Sequence, residues 1–150
     1  MTEENHQSLL FNPVLIAGSL ILIVGFAIRA SFGVFQIPIE EEFGWLRADF
    51  SLAIAIQNLA WGIGQPLFSM IAEKYGDRKA IFLGSVLYAV GLILSSYAVT
   101  PLAHQFLEIL IGFGIAGMGF GVILAVIGRT TSEKNRSLAL GIATSAGSLG

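Results

Sequence analysis

Hydrophobic residues run along this chain in long blocks that charged residues punctuate. From Pro13 to Ile39 the single charge is Arg29. From Phe50 to Ala72 there is none in 23 residues, and from Ala80 to Leu107 there is none again. A last charge-free run, Ile109 to Gly128, follows Glu108. Each run meets the roughly 20 residues that an α-helix needs to cross about 30 Å of hydrocarbon. In lipid only a helix or a closed barrel satisfies its own backbone, and these unalternating runs are helical. The pattern therefore predicts helices at about 13–38, 49–72, 78–99 and 101–128, preceded by a tail over residues 1–12. A fifth helix begins at 137, after the loop Arg129 to Arg136. Its 14 residues to Gly150 cover only about 21 Å, so it is expected to stop in mid-membrane and the chain reads as the N-terminal part of a longer protein.

Local chemistry supports these boundaries. Asn12-Pro13 and Thr100-Pro101 each offer a side-chain acceptor followed by a proline where no amide partner is lost, which starts helices one and four. Asp49 is expected to cap helix two, and Gly76-Asp77 to form the turn into helix three. Pro66 is expected to loosen helix two.

Composition agrees with the pattern. Hydrophobic residues make up 55% of the 150-residue chain and charged residues 12%, and the mean hydropathy is +0.79. Soluble proteins carry about 25% charged residues. The fold class is all-α: a polytopic transmembrane bundle of four complete spans and part of a fifth, whose 18 glycines suit close helix packing. There is no cysteine, so disulfides and thiolate metal sites are excluded. The eight Lys and Arg are split among short loops, which excludes a nucleic-acid interface.

Charge gives an orientation. Lys74, Arg78 and Lys79 lie between helices two and three, and Arg129, Lys134 and Arg136 between four and five. The other side carries Glu40, Glu41, Glu42 and Asp49 with Arg47 alone. The positive-inside rule then places the amino terminus and both basic loops in the cytoplasm of a cell (inner or plasma) membrane.

Two ionisable residues fall inside the spans, and intramembrane charge is costly unless paired, hydrated or turned to a cavity. Arg29 lies about 14 Å deep from the acidic end of helix one and Glu108 about 10 Å deep from the same side, at depths that bring them within reach of each other. Gly25 and Gly33 flank Arg29 on one face, leaving room for a ligand or another helix. One reading makes Arg29 an anion contact, through its planar donor fork, with Glu108 tuning it or carrying a proton. The other makes them a structural ion pair, or has Arg29 reach toward the headgroups. On helix two, Gln57, Trp61 and Gln65 share a face with Asn58 beside it; it lines a solute path or makes ordinary interhelical hydrogen bonds. Trp45 and His104 are expected to be interfacial anchors. No histidine pair at metal spacing, nucleophile elbow or phosphate loop appears, and His6 and His104 are remote from each other, so no enzyme, cofactor or metal site is expected.

The segment Ser69-Met-Ile-Ala-Glu73-Lys74-Tyr-Gly76-Asp-Arg78-Lys79 resembles the signature loop between helices two and three of the major facilitator superfamily. Glu73, Lys74, Gly76, Arg78 and Lys79 match that pattern in kind. Ser69 replaces its leading glycine, Glu73 lengthens its aspartate, and Asp77 stands where a basic residue is common. Arg29-Ala-Ser-Phe-Gly-Val-Phe, Pro38, Glu42-Phe-Gly-Trp45-Leu-Arg47 and the opening of helix five are similar to the monocarboxylate and oxalate/formate antiporter branch. The resemblance implies the first half of a twelve-helix fold whose two halves rock about a central site. It implies secondary transport of a small organic anion, a mono- or dicarboxylate, with a proton or counter-anion as partner besides lipid and the C-terminal half. Arg29, Gln57, Trp61 and Glu108 are its candidate substrate residues, and Ser69, Glu73, Lys74, Gly76, Arg78 and Lys79 its conformational latch. A non-transporting scaffold or sensor built on the same bundle is the competing reading.

Overall fold

The computed structural model describes residues 8–150, so residues 1–7 of the expected tail, with His6, lie outside the described residues. Among the described residues the regular structure is helical: α1 (Pro13–Phe43), α2 (Arg47–Tyr75), α3 (Asp77–Ser95), α4 (Pro101–Met118), α5 (Phe120–Thr130) and α6 (Glu133–Leu149). Three stretches, Pro13–Phe43, Asp77–Ser95 and Pro101–Thr130, are long and apolar enough to cross a membrane. The 29 residues of α2 are also long enough, but Gln57, Asn58 and Gln65 dilute its hydropathy. The chain is a multi-pass membrane helix bundle.

Several boundaries differ from the expected ones, each for a local reason. Residues 8–10, within the expected tail, are helical, and Leu9 is buried with Leu15, Ile127 and Ala139. Helix α1 continues past Pro38 to Phe43. Gln36 donates to Glu40 across one turn at 2.7 Å, and the helix ends only at Gly44, whose φ of 66° is left-handed. Helix α2 begins at Arg47. Asp49 does not occupy the cap itself; it lies three residues inside and accepts a bond from the Leu46 amide at 3.1 Å. Helix α3 stops at Ser95 rather than 99. The expected helix 101–128 is broken at Gly119, whose extended backbone (φ −89°, ψ −168°) separates α4 from α5. Helix α6 starts at Glu133, ahead of 137, with an acidic first turn that suits the helix dipole.

Helix α4 is the centre of the bundle, packing most extensively against α2 and α3. Its glycines explain how. A Cβ on Gly112 would run into the Gln57 carbonyl and lie 2.7 Å from the Ala60 side chain; one on Gly114 would lie 2.5 Å from the Tyr88 amide; one on Gly84 would lie 2.6 Å from the Gly117 backbone. The three helices thus touch backbone to backbone, the close approach that membrane bundles achieve through small residues. Helix α1 instead packs chiefly against α6 and α5, through Leu15, Leu22, Ile123, Ile127 and Ala143. It touches α2 and α4 little, and the gap becomes a cavity.

Candidate functional site: two intramembrane charges bonded to α2

That cavity, of about 410 Å³, is lined by Arg29, Gly33 and Gln36 of α1 and by Phe50, Ser51 and Gln57 of α2. Arg29 is half-buried, held by two contacts and left with one free donor. Its Nη2 donates to the Asn58 Oδ1 at 2.5 Å, its guanidinium lies 5.4 Å from the centre of the Trp61 ring, and its Nε, buried, has no hydrogen-bond partner among the described residues. Stacking on an indole holds a guanidinium in plane while leaving its edge free to donate. Trp61 is in turn braced edge-on by Phe26, at 5.8 Å between ring centres.

Glu108 is in a different environment. It is fully buried, and its Oε2 accepts from the Gln57 Nε2 at 2.6 Å. Its Oε1 comes within 3.3 Å of the His104 Nε2, one helical turn earlier, yet neither atom is in hydrogen-bond geometry. The His104 Nδ1 lies 2.8 Å from the Ser95 Oγ. Gln57, Glu108, His104 and Ser95 thus form one polar chain through α2, α4 and α3. Burial of such a chain is costly wherever a member lacks a partner, as the Glu108 Oε1 and the His104 Nε2 do.

The expected meeting of Arg29 and Glu108 does not occur: among the described residues no ion pair joins them. Consecutive residues of one helix point about 100° apart: Asn58 bonds Arg29 and Gln57 bonds Glu108, so each charge takes a neutral side chain of α2 as its partner in place of the other charge. Trp45 and His104 are likewise not interfacial anchors. They are 8% and 4% exposed; their rings pack 5.5 Å apart, Phe50 stacks on His104, and the Trp45 Nε1 donates to the Val99 carbonyl at 3.3 Å. The signal for this was present as His104 and Glu108 at i, i+4 spacing on one helix face.

At the other end, Gly76 joins α2 to α3 with φ 99° and ψ 147°, a region essentially restricted to glycine. Glu73, Lys74, Arg78 and Lys79 are exposed around it, and none makes an ion pair among the described residues. Asp77, one of the three departures from the signature, is the residue of this loop that pairs, with Arg129 of α5. Ser69 and Glu73 line an 80 Å³ hollow with Arg129.

Residues 17–150 match the sequence profile of the Major Facilitator Superfamily. The chain is also similar to monocarboxylate transporter 13 of Bos taurus (36% identity over 127 residues, 79% of this chain and 28% of that protein). Monocarboxylate transporter 13 of Rattus norvegicus is 36% identical over 124 residues, 79% of this chain and 27% of that protein. Monocarboxylate transporter 12 of Homo sapiens is 29% identical over 140 residues, 91% of this chain and 27% of that protein. The chain spans a little over a quarter of the length of these relatives. A helical membrane bundle with its glycine turn between two basic helix ends, matched along almost all of its length, belongs to the Major Facilitator Superfamily.

Proposed function

We propose that this chain forms one wall of a secondary transporter that carries a small organic anion, a mono- or dicarboxylate, across a cell membrane by alternating access. The observation that carries this reading is Arg29: a permanent cation at the wall of a 410 Å³ cavity, with its Nε unpartnered and only a neutral side chain bonded to it. A carboxylate is the complementary partner for such a fork. Gln57 lines the same cavity and Trp61 stacks on the guanidinium, and the relatives named as monocarboxylate transporters support the class of cargo. The facing wall comes from a second six-helix half, as in other transporters built from paired repeats. In this reading the amino terminus and the two basic loops are cytoplasmic. Ser69, Glu73, Lys74, Gly76, Arg78 and Lys79 form a latch that engages the second half in one conformation and releases it in the other.

Uptake of radiolabelled L-lactate and succinate by cells expressing the full reading frame tests this. Arg29→Ala is expected to raise KM by about tenfold or more, the scale of one charge-assisted hydrogen bond. Arg29→Lys, which keeps the charge and loses the fork, should fall between. Unchanged uptake in both variants removes Arg29 from the site. Gly76→Val should lower the turnover rate with little change in substrate affinity, and normal turnover counts against the latch.

A further inference from the structure

Glu108 is fully buried, carries one hydrogen bond, and turns its second oxygen toward a histidine nitrogen that is itself without a partner. A bare carboxylate in such a place is strongly disfavoured. His104 holds its own ring proton on Nδ1, toward the Ser95 Oγ 2.8 Å away, and one further proton between the Glu108 Oε1 and the His104 Nε2, 3.3 Å apart, would satisfy both atoms with a small side-chain adjustment. The pair is also reachable from two sides. His104 and Ser95 line a second cavity of about 360 Å³ between α1 and α3, whereas Gln57, on the far side of Glu108, lines the Arg29 cavity. The chain Ser95, His104, Glu108, Gln57 therefore runs from one cavity to the other.

We propose that Glu108 and His104 share one exchangeable proton, and that this proton sets the charge against which Arg29 works. Without it the pair carries one negative charge that offsets Arg29; with it the pair is neutral and the region keeps the net positive charge of Arg29. The facing groups from every neighbouring helix are few: Arg29 from α1, neutral Gln57 from α2, and Tyr88 and Ser95 from α3. Tyr88 and Arg29 both interact electrostatically with Glu108, and the Tyr88 hydroxyl donates to the Gly25 carbonyl at 3.0 Å. No other charged residue shares this buried region among the described residues. By linkage, protonation of the pair strengthens anion binding at Arg29 and anion binding strengthens protonation. Glu108 and His104 act through Gln57 and the local field, so they are positioning residues.

The consequence for Arg29 rests on the function proposed above, whereas the proton itself does not, so two measurements separate them. In the full-length protein reconstituted in liposomes, infrared spectra taken across a pH series should contain a titrating carboxyl band that Glu108→Gln removes and His104→Gln shifts. In the same liposomes, the KM for L-lactate should fall as the pH falls, by at most about tenfold per pH unit, the limit for one linked proton. Glu108→Gln should give a low KM that no longer varies with pH. A carboxyl band unaffected by Glu108→Gln, or a KM that keeps its wild-type pH dependence in that variant, overturns the proposal. If lactate uptake is absent, or is unaffected by Arg29→Ala, the transport reading fails and the infrared titration still decides the proton site.

Discussion

Arg29 and Glu108 are the two charges within the hydrophobic spans, and the bundle treats them in opposite ways. Arg29 sits on the helix that leans away from its neighbours, faces a cavity, and is bonded to an exposed asparagine. Glu108 sits on the helix that glycine contacts press against α2 and α3, and it is fully buried among them. One charge is kept available and the other is locked in. Position along the chain does not decide this; the helix that carries the charge does. In the most apolar 18-residue stretch of Pro101–Thr130, 56% of the residues are buried inside the bundle, against 17% in that of Pro13–Phe43.

The contrast can be broken most forcefully at Gly112. A valine there drives α4 into the Gln57 carbonyl, and overpacking of this kind costs about 3 kcal/mol. Thermal unfolding in detergent should show a large loss of stability; an unchanged Tm would mean that the α2–α4 contact is softer than described. Next is Glu108→Ala, which strands Gln57 and His104 and should cost about 2 kcal/mol, within the range for an unsatisfied buried polar group. Arg29→Ala should cost less than about 1 kcal/mol in the same assay, since Asn58 is exposed to other partners. If the two alanine variants are equally destabilised, the distinction between an available and a locked charge is lost. Asn58→Ala should raise the carboxylate KM a few-fold by freeing Arg29 to move, with a stability change of about 1 kcal/mol; a KM equal to wild type would show that Trp61 alone orients the guanidinium. The smallest effect is expected at the other end, where Asp77→Asn removes a solvent-exposed ion pair to Arg129 and should change stability by about 0.5 kcal/mol.

The spans, the superfamily and the two intramembrane charges were legible in the sequence because hydrophobic length and charge placement act locally. The relation between the charges was not. Rise per residue gives the depth of Arg29 and Glu108 but not the rotation of the helix that partners them, and only the packing of α2 decides that Gln57 bonds one and Asn58 the other. His104 was misread for a similar reason: it lies close to a helix start, where an aromatic ring is often an anchor, yet Trp45 and Phe50 cover it from α2 and the preceding turn. The break at Gly119 was hidden because Gly112, Gly114, Gly117 and Gly121 surround it, so one glycine that bends the backbone looks like four that admit a neighbour. Asp77 reads as a departure from the signature loop until Arg129 is placed opposite it.

The turn at Gly76 has a consequence at the level of the gene. Single-base changes in a glycine codon lead to Ala, Val, Ser, Arg, Cys, Trp, Asp or Glu, and every one of them adds a Cβ at a backbone conformation that glycine alone occupies without strain. Nothing lies within 4 Å of the site to clash, so the obstacle is the backbone itself and no compensating change in a neighbour relieves it. The link between α2 and α3 is therefore shielded from gradual drift: the exposed charges around it are free to vary in kind, while the glycine at its centre has no neutral one-step alternative.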